Sequence, residues 1–84
     1  MSNQNVPGLM PHIAHVWAYL SVDQDGDEAV CGFLYAGKWI AMVAADEKRV
    51  ESLRPIAAEI VAETGKIVRL VKFTERIDQE VLRP

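Results

Sequence analysis

Residues 15–45 read HVWAYLSVDQDGDEAVCGFLYAGKWIAMVAA, and the division of this stretch into strands and turns decides the fold. From His15 to Asp23 the chain is rich in β-branched and aromatic residues and then stops at Gln24-Asp25-Gly26-Asp27, which reads as a strand followed by a turn. Asp25-Gly26 is the pair that a two-residue type I′ turn takes, because both central positions need positive φ. Glu28 to Tyr35 is a second strand, Ala36-Gly37 a second tight turn, and Lys38 to Ala45 a third strand. The expected unit over 14–45 is a three-stranded antiparallel meander.

Outward from the meander, the C-terminal side changes period. Asp46 supplies an N-cap carboxylate, Val50, Leu53, Ala57, Ile60 and Val61 recur at three- and four-residue steps, and Gly65 is suited to a left-handed helix end. This predicts an amphipathic helix over 46–65, with Pro55 inside it kinking the helix or dividing it in two. Residues 66–74 form a fourth strand, and 75–84 a charged tail with a possible short helix through Ile77 and Val81. On the N-terminal side, Pro7-Gly8 and Pro11 break both regular structures, so 1–13 reads as an extended arm carrying Val6, Leu9, Met10 and Ile13.

The whole is a single α+β domain, 1–84, of order β-β-β-α-β. A strand, helix, strand connection is nearly always a right-handed crossover between parallel strands. The fourth strand is therefore expected parallel to the third and, through the meander, to the first, in sheet order 3-2-1-4.

If both turns have two residues, Tyr19 lies opposite Gly32 and Tyr35 opposite Lys38, and the faces follow. One face then carries Val16, Ala18, Leu20, Val22, Cys31, Phe33, Ile40, Met42 and Ala44, and receives the helix stripe. The other carries Trp17, Tyr19, Leu34, Trp39 and Ala41, with the Tyr19 ring covering the bare backbone of Gly32. One helix cannot cover two apolar faces. Aromatic side chains bury about 150–250 Å² each and are enriched at interfaces. The second face is expected to be covered either by the chain's own arm and tail or by another chain, and a one-residue slip of register would exchange the faces.

Composition narrows the function classes. Nine Lys and Arg against twelve Asp and Glu give a net charge of -3, which argues against binding nucleic acid through bulk electrostatics. A single cysteine cannot close an intramolecular disulfide, so a reducing, cytoplasmic setting is expected, and neither a secretion signal nor a membrane-length apolar run is seen. Asp23, Asp25, Asp27 and Glu28 crowd one turn but lack the glycine and glutamate spacing of a calcium loop. His12 and His15 lack a third ligand, and Cys31 sits mid-strand on the helix-facing side, where a thiol is buried and inert. No metal, cofactor or catalytic residue is assigned.

The sequence thus points to a non-enzymatic protein-interaction module, a homodimer or an adaptor or inhibitor docking on a larger protein, with Trp17, Tyr19, Leu34, Trp39 and Ala41 as its interface. The competing class is a small nucleic-acid or ligand-binding domain using the same aromatics with Lys66, Arg69, Lys72 and Arg76.

Overall fold

A computed structural model describes residues 14–84, and the expected arm over 1–13 lies outside the described residues. The elements are β1 (Val16–Val22), β2 (Glu28–Val30), β3 (Gly32–Tyr35), β4 (Lys38–Ala41), β5 (Val43–Ala44), α1 (Glu47–Thr64) and β6 (Ile67–Phe73). The fold is α+β, with one helix and antiparallel strands.

β1 is the centre of the sheet. β6 pairs antiparallel along one edge over its full length, from Val16 opposite Phe73 to Val22 opposite Ile67. The other edge is shared. β2 pairs with the C-terminal half of β1 and β5 with the N-terminal half, both antiparallel. Between them the chain leaves the sheet as a β3–β4 hairpin.

The departure and return happen at one level of the sheet. Cys31 N–H donates to the Tyr19 carbonyl (2.8 Å), Met42 N–H to the Cys31 carbonyl (2.8 Å) and Tyr19 N–H to the Met42 carbonyl (3.0 Å). Tyr19 thus meets both interruptions through its own backbone, and no buried donor is stranded where β1 changes partner. This explains why the expected order 3-2-1-4 and strand directions are not formed: β5 pairs antiparallel with β1 itself and does not lie outside the second strand. β5 and β6 are both antiparallel to β1 and so parallel to each other, as a strand, helix, strand unit requires. A straight third strand would also have made the fourth parallel to the first. The bend at Met42 reorients β5, and β6 runs antiparallel to β1 instead.

The second turn forms as expected. Ala36 (φ 50°) and Gly37 (φ 78°) both take positive φ, and Tyr35 lies opposite Lys38. The first turn does not. Val22 lies opposite Glu28 and Leu20 opposite Val30, one residue away from the expected register. The Asp23 carboxylate accepts from the backbone N–H groups of Asp25 and Asp27, both at 3.0 Å, while Gly26 N–H donates to the Asp23 carbonyl at 3.1 Å. Positive φ therefore falls on Gly26 (86°) and not on Asp25, giving a longer loop of the type I plus glycine-bulge kind.

α1 is capped as its ends predict: the Asp46 carboxylate accepts from Arg49 N–H (2.7 Å), and Gly65 (φ 70°) donates to the Val61 carbonyl (2.9 Å). The helix runs unbroken through Pro55. Pro55 and Glu51 are both exposed, so the carbonyl that proline cannot serve is open to water. The helix buries Val50, Leu53 and Ala57 against Tyr19, Cys31, Met42 and Ala44, with Trp17, Phe33, Ile56, Ile60 and Val68 packed around them. Residues 74–84 form no regular element, and Ile77, Val81 and Leu82 are exposed, so the short tail helix is not observed.

Candidate interaction surface

The register shift at the first turn flips one strand and leaves the others in place. Because side chains alternate with period two, moving β1 by one residue sends Trp17 and Tyr19 to the helix side and Val16, Ala18, Leu20 and Val22 to the far side. On the neighbouring strands Cys31, Phe33 and Met42 face the helix, as expected from the sequence.

The five proposed interface residues are therefore divided. Tyr19 is buried in the helix-side core, where its hydroxyl donates to the Val50 carbonyl at 2.8 Å. That removes it from any surface. Trp17 is half-buried on the same side, with the Lys72 ammonium 5.5 Å from its ring centroid and the His15 ring edge-on at 5.9 Å. Leu34, Trp39 and Ala41 remain together on the outer side of the hairpin. Leu34 and Trp39 form a cross-strand pair, 60% and 76% exposed, and Ala41 lies opposite Gly32. A Cβ on Gly32 would come 3.7 Å from the Trp39 ring, so Trp39 and not Tyr19 covers that bare backbone.

Strand alternation through Cys31 and Met42 sets Leu34, Trp39 and Ala41 on the same side of their strands as Val30 and Val43, while Leu34 also borders α1 at Ile56, Glu59, Ile60 and Glu63. Register places Val30 beside Leu20, and Val43 beside Ala18. On β6, Ile67, Val71 and Phe73 lie beside Val22, Ala18 and Val16 on that same side. At the middle of this face Ala18 and Leu20 are buried, while Val30, Val43, Ile67 and Phe73 are 41–63% exposed. The one described helix packs on the opposite side, and the described tail is exposed. Arg69 and Glu28 are the charged residues among these strand positions, and they pair with each other at 3.5 Å. An apolar face away from the helix thus persists, with Ala18 and Leu20 of β1 buried at its centre and its exposed area on Val30, Val43, Ile67 and Phe73.

The cations proposed for the competing class do not form one patch. Arg69 lies on the far face with Glu28, and Lys72 on the helix side over Trp17. Lys66 and Arg76 flank opposite ends of β6, about 23 Å of strand apart, and Arg76 pairs with Asp78 at 3.4 Å. The acidic first turn spends the Asp23 carboxylate on backbone N–H groups. Among the described residues no group of three or more His, Cys, Asp or Glu side chains is placed to hold a metal ion.

Cys31 is buried, and desolvation raises its thiol above the ordinary value. The unfolded chain, whose thiol sits near pH 8.5, releases this proton first, so stability contributed by the neutral buried thiol is present below that pH and lost as pH rises toward the raised folded value. Denaturant titrations between pH 7 and pH 10 are expected to show a steeper loss for the natural chain than for Cys31→Ala. Equal slopes would show that Cys31 is not desolvated.

Comparison with protein families, with curated proteins and with solved structures finds no match to this chain. Among the described residues no helix is long and apolar enough to cross a membrane.

Proposed function

We propose that this protein is a small non-enzymatic protein-interaction module whose docking surface is the far face of the sheet and the outer side of the β3–β4 hairpin. The observation that carries this reading is the exposed Leu34–Trp39 pair on a hairpin that leaves the sheet, continuous with an apolar strand face on the side away from the helix. A lone two-stranded ribbon is only marginally stable in water, and monomers rarely expose apolar patches of more than a few hundred Å². Placing an indole and a leucyl side chain at the outer side of such a ribbon costs solubility unless a partner desolvates them. With one buried thiol and no disulfide, the chain suits a reducing compartment, and the cytoplasm is the setting we assign.

The test uses Trp39→Ala combined with Val30→Lys, two exposed positions whose replacement should move stability by no more than about 0.5–1 kcal/mol. Light scattering and co-purification from the native source are expected to show roughly tenfold or greater weakening of whatever association the natural chain makes. A variant that keeps its fold, its mass and its co-purifying partners unchanged would remove the support for this surface.

A further inference from the structure

We infer that the occupant of the far face is a second copy of this chain, packed sheet against sheet about a two-fold axis with Arg69 of each copy reaching Glu28 of the other. This rests on the docking surface proposed above and names its partner.

Two features of the face point to self-association. The first is its charge. Arg69 and Glu28 carry opposite signs, already meet at 3.5 Å, and stand on neighbouring sides of β1, opposite Leu20 and Val22. Among the strand positions of this face the charges therefore balance, within a chain of net charge -3. A partner steered by charge would need an unbalanced patch. An isologous contact needs a self-complementary one: under a two-fold axis residue i meets j and j meets i, so the pair can be exchanged between copies with neither charge left unpaired on burial.

The second feature is size. The seven-residue strands β1 and β6 are about 23 Å long, the lane shared by β2 and β5 makes the sheet about 14 Å across, and the hairpin adds about 13 by 10 Å, giving a plan area of roughly 450 Å². Ala18 and Leu20 at its centre are already buried, so the area a second copy would cover comes from Val30, Val43, Ile67, Phe73, Leu34 and Trp39, which are 41–76% exposed. Aligned sheets pack about 10 Å apart with interdigitating side chains, which suits the mostly aliphatic composition of this face. Edge pairing through β6 is the poorer geometry, because Arg69 and Lys72 guard that strand.

The decisive experiment is a charge exchange read by sedimentation equilibrium on the full chain. The natural protein is expected to show a concentration-dependent monomer–dimer equilibrium. Arg69→Glu and Glu28→Arg are each expected to weaken it by roughly tenfold or more, and an equimolar mixture of the two to recover it, because every charge in the mixed dimer again has a partner. Both side chains are partly exposed, so both variants should remain folded, which circular dichroism checks. Recovery on mixing supports the two-fold contact and is not expected of an ion pair confined within one chain. A natural chain that stays monomeric up to its solubility limit overturns the inference, as does a dimer indifferent to both substitutions. If the chain is monomeric while Trp39→Ala with Val30→Lys still abolishes capture of a different protein, the self-partner is wrong and the docking surface stands. If the chain is monomeric and its far face becomes accessible to hydroxyl-radical labelling only when Leu9 and Met10 are replaced by serine, its own first thirteen residues occupy the face and the dimer is overturned.

Discussion

Tyr19→Ala is expected to lower the unfolding free energy by about 3–5 kcal/mol, the range for deleting a buried aromatic ring. For a chain of 84 residues the whole stability is on the order of 4–13 kcal/mol, so this one substitution removes between about a quarter and all of it. The size of the effect comes from position. Tyr19 is 3% exposed, packs with Cys31, Met42, Val50 and Leu53, and lies at the level where β1 changes partner from β2 to β5. Removing the ring opens a cavity where the sheet, the hairpin base and the helix converge. Tyr19→Phe separates the hydroxyl from the ring: losing the 2.8 Å bond to the Val50 carbonyl should cost about 0.5–1.5 kcal/mol. Urea titrations followed by circular dichroism measure both. The face expected from the two-residue turn puts Tyr19 at the surface, where Tyr19→Ala would cost under about 1 kcal/mol. Such a result would return Tyr19 to the interface and reverse the register found here.

That one residue marks where the chain was legible and where it was not. The helix could be bounded from Asp46 and Gly65, since both caps act locally and each side chain or backbone group meets its partner within four positions. The second hairpin could be registered from Ala36-Gly37, because a two-residue loop leaves no choice of pairing. β6 lies beside β1, as the sequence predicts, but antiparallel to it where a parallel strand is expected. The first hairpin misled because Asp25-Gly26 fits a short turn while Asp23-Gln24-Asp25-Gly26 also fits a type I turn, with its acceptor at the first position and glycine at the fourth. The Asp23 carboxylate, holding two N–H groups at once, decides for the longer loop. That signal was present in the residues and would have predicted the shift.

The bends at Cys31 and Met42 had no comparable signal. Gly32 beside Cys31 is the one local sign, since a glycine inside a strand often marks a bend, and nothing similar marks Met42. The cause is tertiary, because Tyr19 offers its N–H and its carbonyl to two different strands at one level. Only the folded sheet brings those groups together. Of the proposed interface, Leu34, Trp39 and Ala41 kept their side because the second register held. Trp17 and Tyr19 lost theirs because a slip of one position inverts a strand completely. The surplus of apolar residues is the same in either register, since β1 is apolar on both of its sides.

Leu53→Ala tests the helix in the same way and leaves the far face alone. Leu53 is 1% exposed and stands between Val50 and Ala57 on the only row that α1 buries, so its replacement is expected to cost about 2–5 kcal/mol. Ile60, one turn on from Ala57, is only half-buried, and Ile60→Ala should cost less, under about 2 kcal/mol. The gradient follows from how the helix lies: its packed row is firm near the Tyr19 level and loosens toward Gly65. A loss below about 1 kcal/mol at Leu53 would show that the helix is not seated on this row. The same variant also separates stability from association. Leu53 lies on the opposite side of the sheet from Val30, and residues without shared partners contribute nearly additively. Under conditions where Leu53→Ala is still folded, its dimer constant should therefore match that of the natural chain, whereas Trp39→Ala should weaken the dimer and leave the denaturation midpoint almost unmoved. A common loss of both properties in both variants would mean that the far face is formed only when the helix is seated, and that the two sides of this sheet act as one cooperative unit.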